Sequence, residues 1–141
     1  MAQERFQLAG VTIEQFAKIS EPKGTEFAVD VSVPVKTNYK DGKIAVGLNV
    51  QFFEDEKIIL QLEVFCHYVF EPGCWSELTS NHTENAVIKK ELMANFFSIA
   101  VGTTRGVLAA KTENTPYSVC VLPLMNSDPK QGPDFVVEKQ N

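Results

Sequence analysis

Residues 83–111, TENAVIKKELMANFFSIAVGTTRGVLAAK, decide how the rest of the chain is read, because this is the one stretch long enough for a major helix. Ile88, Leu92, Phe96, Ile99 and Ala100 recur at helical spacing. Val87, Met93, Phe97 and Val101 widen that stripe beyond what docking on a single surface requires. Thr83 or Asn85 is the expected N-cap, and Asn114 followed by Pro116 the expected stop. Gly102 and Gly106 stand one turn apart on one face. Each weakens an isolated helix by about 1 kcal/mol relative to alanine, so the pair predicts that another backbone approaches closely there. Two readings fit: a buried helix crossing its own sheet, or a helix whose second apolar face meets a second subunit. The glycines favour the second. Phe97, Val101, Gly102, Arg105 and Gly106 then form the subunit contact, with Arg105 either facing solvent or ion-paired across it.

Upstream, the periodicity changes to two. Phe6 and Leu8 alternate, the phase slips at Ala9-Gly10, and Val11 and Ile13 resume it, as in a bent strand with a β-bulge. An irregular link follows through Ser20-Glu21-Pro22-Lys23-Gly24. Phe27, Val29, Val31, Val33 and Val35 form the apolar face of a second strand, in which Pro34 predicts an edge position or a local irregularity. Asp41-Gly42 suits a tight hairpin, and Glu54-Asp55-Glu56-Lys57 a second turn. Between them Ile44, Val46, Leu48, Val50 and Phe52 point inward. After them Leu60, Leu62, Val64, Cys66, Tyr68 and Phe70 do the same. The outer face of that last strand carries Ile59, Phe65, His67 and Val69, greasy surface that needs a cover. The fold class is α+β: a four-stranded antiparallel sheet with one long helix packed on it. A single domain is expected over residues 1–126, with a loosely ordered tail at 127–141.

Composition narrows the function classes. The 141 residues suit one domain, with 44% hydrophobic and 22% charged residues. A net charge of −5 and no basic stripe exclude a nucleic-acid partner held by phosphate contacts. The first residues, MAQERFQLAG, lack the features of a signal peptide. The richest apolar run, Leu92 to Val101, is interrupted by Asn95 and Ser98, so no direct membrane insertion is expected. The cytoplasm is the expected location, where three cysteines stay reduced and the triplet Asn81-His82-Thr83 is a chance match.

Chemistry-bearing groups are sparse. Cys66, His67, Cys74 and His82 have metal-ligand side chains, but Cys66 and His67 are strand neighbours and point to opposite faces. No metal site, no cofactor and no catalytic residue are expected, and nothing argues for an enzyme. The apolar outer surface is the feature left over. Phe53, Phe65, Val69 and Trp75 either form a second small core under the 71–82 loop or line a groove for extended, apolar polypeptide.

The order of these elements resembles the SecB family of export chaperones. The likeness rests on the opening strand FQLAGVTIEQF, the three alternating strands, the long helix and the stretch ending VLPLMN at Asn126. It covers nearly the whole chain through short motifs. It implies a cytoplasmic bacterial holdase, working without ATP on unfolded or pre-secretory polypeptides for protein export. It also implies a homo-tetramer with the main helices layered between two sheets, and the SecA motor as a partner. Three departures stand out. FFSIAVGTTRG replaces the Pro-Tyr-Ala-Arg run of the family's main helix, and little chain follows Phe135 to form a second helix. Glu14-Gln15-Phe16 does not reproduce the acidic SecA-contact positions. Some SecB-like proteins serve toxin–antitoxin systems, so an adaptor reading one specific partner is the alternative. A small-molecule-binding or enzymatic domain with a pocket over Phe65 and Trp75 is a further one.

Overall fold

Five strands form one antiparallel sheet in the computed structural model, which describes residues 6–75, 85–125 and 135–138. They are β1 (Phe6–Lys18), β2 (Ala28–Ser32), β3 (Val35–Asn38), β4 (Lys43–Glu54) and β5 (Lys57–Phe70). The order is β1-β5-β4, with β2 and β3 both lying along the far side of β4. The count is five where the alternation predicts four, and Pro34 is the reason. Ser32 faces Asn49 and Val35 faces Val46, so β3 resumes the register that β2 leaves. Pro34 has no N–H for the ladder. Its carbonyl still accepts from Gly47 N at 2.9 Å. The edge row is one strand interrupted by a proline.

The bulge expected at Ala9-Gly10 is present as a register shift between Leu8 and Gly10, and a second lies between Ile13 and Gln15. A third shift, between Phe52 and Phe53, falls opposite Ile59. Alternation puts Ile59 on the outer face, but it is buried in the core. Both hairpin turns form where expected. Gly42 takes φ 63°, while Asp55 and Glu56 take φ 51° and 67° without glycine's freedom. The Glu54 carboxylate is more than a solvated turn: it accepts from Lys23 N at 2.9 Å and Gly24 N at 2.7 Å, anchoring the link from β1 to β2.

The helix α1 spans Lys90–Thr112 and starts later than its stripe suggests. Asn85–Ile88 is instead a strand, β6, paired antiparallel with β7 (Phe135–Glu138). Ala86 and Ile88 are buried and Val87 only partly so, a period of two that the surrounding helical period conceals. Lys89 is extended at φ −62°, ψ 144°, with no side-chain cap; the alternative cap Thr83 lies outside the described residues. The tail expected to be loose is thus held at Phe135–Glu138, where Val137 is buried. Asn114 takes φ 60° just after the helix, as its place before Pro116 predicts. Thr115 then caps a 3-10 turn at Pro116–Val119.

α1 lies over β4 and β5. Leu92, Phe96 and Ala100 pack with Val46, Cys66, Tyr68 and Phe70, and Phe96 stacks on Tyr68 at 4.0 Å between centroids. Toward the C-terminal half of the helix, Val101 and Leu108 join Leu48, Val50, Leu62 and Val64. By length and composition alone α1 could cross a membrane, contrary to the reading of its interrupted apolar run. Here its apolar side serves the sheet.

Candidate functional site

The four residues expected to share a client groove do not come together. Phe53, Phe65 and Val69 lie on the sheet face opposite α1, as parity requires, but at separate points along it. Phe65 stands beside Gly47, Val69 beside Lys43 and Phe53 beside Ile58. At about 3.4 Å per residue, the six steps from Gly47 to Phe53 along β4 are about 20 Å. Trp75 is on the other side of the sheet, in the core cluster with Ile44, Cys66 and Phe70. Its indole N–H donates to the Tyr39 carbonyl at 2.8 Å, and its ring rests against the hairpin at Gly42.

Phe65 is not open to solvent. It is 1% exposed. A Cβ at Gly47 would stand 2.8 Å from the Phe65 ring, so the ring packs directly against the glycine. Lys36 covers the other side, its ammonium 4.1 Å from the ring centroid. The same ammonium donates to Glu14 Oε1 at 2.6 Å. This clasp runs from β3 across β4 and β5 to β1 and roofs the phenylalanine. The Lys36 hydrogen bond and charge hold the Glu14 carboxyl below the ordinary carboxylate range. Parity on β3 could have placed Lys36 over Phe65. Glu14 could not be read, because it stands at the second bulge.

Beyond the clasp the same face opens into a cleft of about 300 Å³, walled by Lys36, Lys43 and His67 and floored by Ala9, Ala45 and Val69. His67 Nε2 and Thr12 Oγ1 share a hydrogen bond of 2.8 Å. Cys66, its neighbour, points into the core under α1, so the two side chains separate as expected. Cys74 and Cys120 are buried and in no disulfide; His82 lies outside the described residues. Burial raises the Cys66 thiol above its ordinary value and pushes Cys120 up to about 11.

On the α1 side, the helix does not cover the middle of β1 among the described residues. It reaches the ends of β1, where Phe96 meets Phe6 edge-on at 5.1 Å and Lys111 stands 5.8 Å from the Phe16 ring. Between them Leu8, Val11 and Ile13 keep the parity of the core but are 50%, 44% and 43% exposed. Val119, Val121 and Leu124, after the helix, are exposed as well. The expected subunit contact divides. Val101 is buried and Phe97 half-buried against the core of its own chain. Gly102 and Gly106 are exposed, with open space where a Cβ would be. Arg105 donates from Nη2 to the Pro123 carbonyl at 3.0 Å and ties α1 to the segment that follows it.

No family model and no curated protein matches the sequence. Among solved structures the chain is similar to the Mycobacterium tuberculosis SecB-like chaperone Rv1957, solved with a ChAD peptide from the Rv1956 HigA1 antitoxin. The likeness covers 88% of this chain and 93% of that one at 10% identity, with a TM-score of 0.49.

Proposed function

We propose that the protein is a divergent SecB-like chaperone that holds non-native polypeptides without ATP and works as a homo-oligomer, a tetramer in the simplest case. The observation that carries this reading is the row Leu8, Val11 and Ile13. Its side chains have core parity, but the helix lies over β4 and β5 and meets β1 only at its ends. An apolar row beside a strand edge with no partner among the described residues suits an extended apolar segment, since backbone and side chains can both be engaged. The exposed Gly102–Gly106 face gives a second copy somewhere to sit. Within this reading the clients are pre-secretory chains or a toxin–antitoxin component, and the cytoplasm is the compartment. Contact with SecA has less behind it: Glu14, the carboxylate in the matching region, is already engaged by Lys36.

The test is aggregation of guanidinium-unfolded citrate synthase on dilution, followed by light scattering without nucleotide. The wild type is expected to suppress scattering near equimolar ratio, and Val11→Asp or Ile13→Asp to weaken that protection with little change in melting temperature. No protection by the wild type would sink the chaperone reading. A loss of oligomer mass in Val11→Asp with protection intact would reassign the row to a subunit contact.

A further inference from the structure

The cleft beyond the clasp lies on the opposite face of the sheet from the apolar row and has a different character. Its lining holds Lys36, Lys43 and His67 and no carboxylate, in a chain whose net charge is −5. Two carboxylates adjoin its lining residues, and each accepts a hydrogen bond from one of them. Glu14 accepts from Lys36, and Asp41 accepts from Asn38 Nδ2 at 3.0 Å. Among the described residues Lys43 has no acidic partner. Lys43 is exposed and shares the lining with the aliphatic floor of Ala9, Ala45 and Val69. About 300 Å³ is at the small end of ligand pockets, room for one or two side chains with the remainder of the ligand outside.

We infer that this cleft is a second binding site, which takes an aliphatic side chain followed by a carboxylate in an extended segment of a partner polypeptide. The aliphatic group fills the floor and the carboxylate meets Lys43. The Lys36–Glu14 clasp closes the far end, so Phe65 stays covered while the site is filled. The site is independent of the apolar row on the α1 face. Apolar contact there carries no sign of charge, whereas this cleft discriminates an acidic segment from its neutral isostere.

The probes are two fluorescein-labelled nonapeptides, Gly-Ser-Leu-Val-Glu-Leu-Val-Ser-Gly and the same sequence with Gln in place of Glu, read by fluorescence polarisation. The wild type is expected to bind the Glu peptide about fivefold more tightly than the Gln peptide, the size of a rim ion pair. Lys43→Gln should abolish that preference and leave the Gln peptide's affinity unchanged. Lys40→Gln, an exposed lysine on the same hairpin, should keep it. Equal affinity of the two peptides for the wild type, a preference that survives Lys43→Gln, or no binding of either peptide overturns the proposal. Citrate synthase protection is measured on the same samples. Protection without peptide discrimination removes the cleft and leaves the chaperone reading standing; discrimination without protection does the reverse.

Discussion

Phe65→Ala separates a packed aromatic from an open groove. The ring is 1% exposed, seated on Gly47 and roofed by Lys36 at 4.1 Å. Truncating a buried phenylalanine costs about 3–5 kcal/mol, and loss of the lysine contact adds about 0.5–1 kcal/mol. The roof is one flexible side chain, which can collapse into the space or admit water, so about 3 kcal/mol, the low end, is the expected total. For a chain of this length that lowers the melting temperature by about 10 °C. Differential scanning calorimetry and urea titration read the stability, and citrate synthase protection is expressed per folded molecule. The expected outcome is a large loss of stability with protection unchanged. A melting temperature within about 2 °C of wild type, with protection lost, would refute the packing and restore Phe65 to a groove. Gly47→Ala is the companion: its Cβ would stand 2.8 Å from the Val64 carbonyl, rigid backbone that cannot step aside. A cost of about 1–3 kcal/mol is expected.

Two further outcomes follow from the helix and the thiols. Gly102→Ala with Gly106→Ala fills open space and should add about 2 kcal/mol to the stability of the isolated chain; if that face seats a second copy, light scattering will show the mass falling toward 15.7 kDa, while the full gain at unchanged mass would show the face to be bare. Burial raises Cys120 from its ordinary 9.0 to about 11, so the native state keeps its proton after the unfolded chain has lost it. The stabilisation is complete below pH 9 and disappears as pH rises toward 11. Urea midpoints should therefore fall more steeply over that range in wild type than in Cys120→Ala, and parallel profiles would count against it.

The amino-acid sequence specifies which residues are inward on β4 and β5, because an antiparallel strand with one buried face writes its parity into every second residue. It also located both hairpin turns, the first bulge, the proline irregularity and the end of α1, since glycine, proline and asparagine act on the backbone locally. The start of α1 was hidden. Residues 85–88 are a strand because residues 135–138 pair with them, and no local signal reports a partner some 50 positions away. The candidate surfaces were decided the same way. Parity put Phe65 and Val69 on one face, but whether that face is bare depends on a lysine from β3 reaching a glutamate displaced by a bulge in β1. Leu8, Val11 and Ile13 read as core and are exposed because α1 runs over β4 and β5. A side chain's face is a property of its own strand; what covers that face is set by segments distant in the chain.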